Sequence, residues 1–150
     1  MELLCLNTRS STLSMILIFL TASIVCAAEL CGNTWVNISQ HEDAIKLESP
    51  NFPLFYPDST DCVWNVQSSE RGSFAIHFLK FDTEPETDLL FFGRGPKKTS
   101  DSVLYQVSSF VPSHIVAVIE ETQLWILFHS NYGVASSGFQ LQIERINEAA

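Results

Sequence analysis

Apolar and polar side chains alternate with a period of two over short runs, and turn-forming residues separate the runs about every ten positions. Phe74, Ile76 and Phe78 share one face of such a run, with Ser73, Ala75 and His77 on the other. Phe139, Leu141 and Ile143 alternate with Gln140, Gln142 and Glu144, the pattern of a strand with one wet face. From Leu124 to His129 both parities are largely apolar, which predicts a strand covered on both sides. Further strands are predicted over 44–48, 62–67, 88–92, 102–107 and 115–119. Ser49-Pro50-Asn51-Phe52-Pro53, Glu70-Arg71-Gly72, Gly93-Arg94-Gly95-Pro96, Val111-Pro112, Asn131-Tyr132-Gly133 and Ser136-Ser137-Gly138 punctuate them. No stretch sustains a 3.6-residue stripe. Eight short strands without helices predict an all-β fold, an antiparallel β-sandwich in one domain.

One segment departs from this pattern. Residues 13–28, LSMILIFLTASIVCAA, form an apolar run behind Arg9 and end in small residues. This is the layout of a secretory signal peptide over 1–28, cut after Ala27 or Ala28, which leaves 29–150 as the mature domain. As a membrane anchor the run is short: at about 1.5 Å per residue it reaches roughly 24 Å, against a hydrocarbon core of ~30 Å. No other stretch is long and apolar enough, so no membrane span is expected after cleavage. The expected location is extracellular.

Secretion changes the reading of the cysteines. Cys5 and Cys26 leave with the leader, and in an oxidising compartment Cys31 and Cys62 have one possible pairing. Closing that loop stabilises the fold by about 3.7 kcal/mol in the chain-entropy account. Two thiols with no histidine pair nearby cannot complete a tetrahedral zinc site. Secretion also makes Asn37-Ile38-Ser39 a usable N-glycosylation acceptor at Asn37.

The chain of 150 residues carries 8 Lys and Arg against 17 Asp and Glu, a formal net charge of −9. Cleavage removes Glu2 and Arg9 and leaves that balance unchanged. Such a surface repels nucleic acid and anionic glycans, so nucleic-acid binding is excluded as a function. Eleven Phe, three Trp and three Tyr supply a core, and Trp35, Trp64 and Trp125 are expected inside it. Enzyme readings fail on the residues. His41, His77, His114 and His129 show no metal-type spacing, no G-x-S-x-G elbow is present, and the pairing leaves no free thiol. Gly93-Arg94-Gly95-Pro96-Lys97-Lys98-Thr99 has neither the spacing nor the following helix of a phosphate loop, and reads as a hairpin turn.

Several motifs in order resemble the CUB domain, an extracellular module of about 110 residues. Cys31-Gly32 opens the series, and Ser49-Pro50-Asn51-Phe52-Pro53 with Tyr56-Pro57 follows. Next come Cys62-Val63-Trp64, Phe78 through Phe81-Asp82, Asp88-Leu89-Leu90 with Gly95, Leu124 to Asn131, and Gly138-Phe139. The resemblance implies a jelly-roll-like β-sandwich that binds partners without catalysis. The second cysteine pair of the family is missing, with Thr87 and Val111 in its neighbourhood.

The resemblance also implies a calcium-binding segment, with Glu84, Asp88 and Asn131 at the ligand positions. Asn131 stands where calcium-binding relatives carry Asp, so two charges remain for an ion that takes six to eight oxygens. The expectation is no cofactor, with Ca²⁺ as the alternative. In calcium-binding relatives the same place receives a partner's Lys or Arg, and the matching positions here are Glu84, Asp88 and Tyr132. The predicted function is a secreted module that binds an extracellular protein or glycoprotein through acidic loops at one end of the sandwich. The alternatives are an oligomerisation module, or a recognition module of a larger mosaic receptor or protease.

Overall fold

The computed structural model describes residues 31–38, 44–96 and 98–146. The predicted leader, Ser39 of the glycosylation triplet, His41 and Lys97 lie outside the described residues. Among the described residues nine strands form: β1 (Asn33–Asn37), β2 (Ile45–Glu48), β3 (Asp61–Gln67), β4 (Ser73–Asp82), β5 (Leu89–Arg94), β6 (Val103–Val107), β7 (Val116–Ile119), β8 (Gln123–His129) and β9 (Gly138–Ile146). They build a five-stranded sheet of order β1-β3-β8-β5-β6 and a four-stranded sheet of order β2-β9-β4-β7. The fold is the all-β sandwich that the alternation predicts.

Period-two patterning decides which faces meet. On β4, Phe74, Ile76 and Phe78 turn inward, and on β9 so do Phe139, Leu141 and Ile143. From the facing sheet come Trp64 and Val66 of β3, Leu90 and Phe92 of β5, and Leu124, Ile126 and Phe128 of β8. Rings meet edge to face at the centre: Phe128–Phe139 at 5.2 Å between centroids, Trp64–Phe139 at 6.1 Å and Tyr56–Phe128 at 5.0 Å. Each such pair adds roughly 0.5–1.5 kcal/mol beyond the area it buries.

β8 is buried on both faces, as its composition predicts, but the two faces differ in kind. Trp125 and Leu127 are buried outside the inter-sheet core, on the outer face of the five-stranded sheet. The segment around the 3₁₀ turn Ser100–Ser102 lies over them, and Trp125 Nε1 donates to Ser102 Oγ at 3.0 Å. The indole approaches Gly93 of β5 closely, and a Cβ there would stand 2.0 Å from ring carbons. Gly93→Ala is therefore expected to lower the unfolding free energy by about 1–3 kcal/mol, the usual cost of overpacking. Urea unfolding checks this, and an unchanged midpoint would contradict the close approach.

Three expectations need correcting. β1 was not predicted, because Asn33-Thr34-Trp35-Val36-Asn37 is short, mostly polar and alternates between exposed and half-buried positions. It pairs with β3 in parallel, Asn33 opposite Val63 through Asn37 opposite Gln67, so one pair in the sandwich is not antiparallel. Parallel neighbours need a crossover, and β2 supplies it by visiting the other sheet. Trp35 is 51% exposed rather than buried, because it sits on this edge strand and not in the interior. The predicted disulfide joins the same two strands: Cys31, two residues before β1, is bonded to Cys62 of β3 with Cα atoms 4.8 Å apart.

Candidate binding site at the acidic end of the sandwich

The predicted site residues come from two loops at one end of the sandwich. Residues 83–88 connect β4 to β5, and residues 130–137 connect β8 to β9. The end of β8 carries Ser130, Asn131 and Tyr132 directly past His129, so strand pairing with β5 brings the two loops side by side.

Asp88 joins them. Its side chain is 1% exposed, and both carboxylate oxygens are held by protein donors. Asn131 N–H donates to Oδ1 at 2.8 Å, and the Tyr56 hydroxyl donates to Oδ2 at 2.5 Å. The same Tyr56 oxygen accepts from Glu84 N–H at 3.0 Å. A buried carboxylate is costly unless it is hydrogen-bonded, and these charge-assisted bonds offset that cost. Burial and the neighbouring Asp88 carboxylate push the Tyr56 phenol up to about 12. Thr83 completes the floor, its hydroxyl donating to Asp88 O at 3.0 Å and accepting from Ser109 N–H at 3.1 Å. Ser130, also buried, donates to Pro57 O at 2.8 Å and accepts from Thr60 N–H at 3.0 Å.

The other predicted residues lie nearer the surface. Glu84 is half-buried, with Oε2 accepting from the Thr87 hydroxyl at 2.7 Å. Glu86 is exposed at a φ of 67°, and Asp82 accepts from the Ser137 hydroxyl at 3.2 Å. Tyr132 is 87% exposed. Glu84, Asp88, Asn131 and Tyr132 therefore belong to one region, with Asp88 beneath and Glu84 and Tyr132 at the rim. Sequence reasoning missed the floor residues Tyr56, Thr83 and Ser130. The pair Tyr56-Pro57 stood out as a motif, but nothing local ties its hydroxyl to an acid 32 positions away.

A cation at this place would draw on Glu84, Asp88 and Asn131 Oδ1. Asn131 Oδ1 is buried and has no hydrogen-bond partner, which suits a cation. Each Asp88 oxygen already accepts one hydrogen bond, and two carboxylates with one amide oxygen supply only part of the six to eight oxygens that Ca²⁺ takes. Among the described residues no three His, Cys, Asp or Glu side chains come together as a metal-holding group. The site is organised by hydrogen bonds among protein groups, with Glu84, Asp88 and Asn131 Oδ1 as the oxygens a cation would meet.

His77 and His129 are sheet-face residues, on β4 and β8. His77 Nε2 lies 2.8 Å from Glu144 Oε1, and His129 Nδ1 lies 2.7 Å from Asp61 Oδ1. Asn37, the predicted glycosylation acceptor, is exposed at the end of β1, and its Oδ1 accepts from Gln67 Nε2 at 2.5 Å. Among the described residues no helix is long and apolar enough to cross a membrane.

The CUB domain family model matches residues 31–143. The chain belongs to the CUB domain family. The zinc metalloproteinase nas-39 of Caenorhabditis elegans is 24% identical over 154 residues, covering 97% of this chain and 15% of that protein. The chain spans between 3% and 15% of the length of the first curated relatives it matches. Among solved structures, the full extracellular region of zebrafish Gpr126/Adgrg6 superposes with a TM-score of 0.63 at 20% identity, covering 77% of this chain and 15% of that one. The MASP-1 CUB2 domain, solved bound to Ca²⁺, gives a TM-score of 0.60 at 21% identity, over 76% of this chain and 98% of that one. At these identities the structural likeness concerns the fold. CUB domains are, in general, extracellular protein-binding modules within larger proteins rather than catalytic ones.

Proposed function

We propose that this CUB domain is secreted after loss of residues 1–28 and acts as a non-catalytic module that binds a basic side chain of an extracellular protein or glycoprotein. The contact falls at the acidic end, where Glu84 and Tyr132 meet the partner and Asp88 holds them in place from below. One observation carries this reading. The bond from Asn131 N–H to Asp88 ties the Tyr132 loop to the Glu84 loop, so a carboxylate and an exposed ring stand at one rim. That pairing suits a Lys or Arg through charge-assisted hydrogen bonds and cation–π contact. A glycan on Asn37 belongs to the same reading, since the acceptor is exposed on an edge strand.

Affinity capture from extracellular fluid, with wild type and the double variant Glu84→Gln/Tyr132→Ala as baits, tests this. Both positions avoid the core, so the variant is expected to fold while recovering at least tenfold less of the captured partner. Equal recovery by the two baits would sink the proposal. The metal-free reading adds a second arm: a chelator leaves recovery unchanged, and Ca²⁺ at roughly 5–10 mM, several times the weakest Kd of about 1 mM for extracellular modules, gives neither heat nor a melting shift. A calcium-dependent shift would place the ion in the site.

A further inference from the structure

Exposed apolar side chains are not scattered over this domain. Of the twelve large apolar residues exposed among the described residues, seven fall between 103 and 118: Val103, Leu104, Tyr105, Phe110, Ile115, Val116 and Val118. They concentrate on β6 and β7 and the connection between them. β6 is the last strand of one sheet and β7 the last strand of the other, so each has one edge that no described strand pairs. Between these edges a cleft of about 270 Å³ is lined by Phe78, Phe92, Tyr105, Val107, Ile115 and Ala117, among others. A second cleft, of about 380 Å³, is lined by Leu104, Tyr105, Val118, Ile119, Glu120 and Glu121. Tyr105 lines both, so they run together along the open side of the sandwich.

Such an edge invites strand addition, because its N–H and C=O groups lack partners while apolar side chains flank them. Of the devices that usually blunt an edge, a register shift at Leu104 in the pairing with β5 is present, but charge and proline are not. Val103-Leu104-Tyr105-Gln106-Val107 contains neither charge nor proline.

We infer that the β6 edge receives an extended segment of a partner protein, with β-branched or aromatic side chains at alternate positions and a Lys or Arg at the end beside Glu120 and Glu121. Charge selects this occupant. The two glutamates close one end of the groove, and Glu86 stands past the other, its N–H bonded to Ser108 Oγ just beyond β6. A second copy would bring the same glutamates and its own net charge of −9 to an acidic rim. A cationic strand is drawn to these glutamates, beside which Arg71 also stands. Backbone pairing supplies affinity and alternate side chains enter the clefts, the logic of β-augmentation. Five residues of β6 offer an edge of about 17 Å at ~3.4 Å per residue.

The test is a displayed library of random octapeptides selected on the full chain with its disulfide intact. Binders are counter-selected on the variant Leu104→Thr/Val118→Thr. Both substituted positions are exposed and receive a β-branched residue, so an unchanged melting temperature shows that the variant folds. Enriched peptides are expected to alternate apolar and polar residues, to carry Lys or Arg at one end, and to bind the variant at least tenfold more weakly. Glu120→Gln is expected to reduce binding several-fold, and added salt to do the same. Bound peptide should slow amide exchange along β6. No enrichment over the variant, enrichment of acidic peptides, or unchanged β6 exchange would each overturn the inference. So would a dimer in sedimentation that the double variant dissolves, since the occupant would then be a second copy.

Discussion

Cys31→Ala combined with Cys62→Ala is expected to lower the unfolding free energy by about 3.7 kcal/mol and the melting temperature by roughly 10–20 °C. The estimate rests on the 31-residue separation of the two cysteines, which the bond removes from the freedom of the unfolded chain. The folded state shows why local structure should suffer first. β1 is an edge strand whose residues are all exposed or half-buried, and it pairs with β3 alone. Beside the ladder, its ties include the bond from Val63 N–H to Gly32 O at 2.9 Å and side-chain bonds from Asn65 to Asn33 Oδ1 at 2.7 Å and from Gln67 to Asn37 Oδ1 at 2.5 Å. Without the disulfide these hold a short parallel pair that has little apolar burial of its own. Amide exchange along β1 should therefore rise more than along β4 or β9, which lie in the other sheet. Unfolding in denaturant reads the total, and exchange reads its distribution. A loss under about 1 kcal/mol, or uniform exchange, would show that β1 is held by something other than the cross-link.

Most of the architecture was legible because the signal is local. In β4 and β9 one face of the period-two pattern is strongly apolar, and a one-residue slip would turn Phe74, Ile76 and Phe78 to solvent. That is why both strands and their core faces could be read directly. β8 was legible as doubly covered, since Trp125 and Leu127 interrupt the alternation that a wet face would show. What covers them was not, because the 3₁₀ segment over Trp125 comes from a connection more than twenty residues away. β1 failed for a related reason. Its five residues are mostly polar and give no strong apolar face to read, and its strand character comes from β3 and from the cysteine beside it. The candidate site divides in the same way. Glu84, Asp88, Asn131 and Tyr132 could be placed by motif. The exchange of roles between them depends on burial: Asp88 sits inside with two donors, and Tyr132 sits almost wholly in solvent.

Asp88→Ala is expected to cost about 3 kcal/mol of stability, although the residue lies in a loop and its removal takes a negative charge from an acidic protein. Surface electrostatics alone would predict a gain. Three terms decide against it. The Tyr56 hydroxyl and Asn131 N–H would both lose their acceptor in a place that water does not reach, at roughly 1–3 kcal/mol for each group left unmade. A small cavity adds to that. Relief of charge repulsion and of carboxylate desolvation works the other way and trims the sum. Tyr56→Phe should cost less, about 1–2 kcal/mol, since it removes one donor to Asp88 and the acceptor of the part-buried Glu84 N–H but leaves Asp88 with Asn131 N–H. The double variant should cost clearly less than the two single losses added together, because both act on one bond. The phenol provides an independent check in the alkaline range. Its folded pKa of about 12 stands above the usual 10, so its contribution is complete below pH 10 and disappears as pH rises from 10 to 12. Wild type should therefore lose stability across that window, and Tyr56→Phe should lack this component. Tyr132→Ala separates the floor of the site from its rim: the ring is 87% exposed, so its removal should leave the melting temperature unchanged while weakening partner capture. If Asp88→Ala melted like wild type, the two loops would be held together by other contacts, and the acidic end would lose its organising bond.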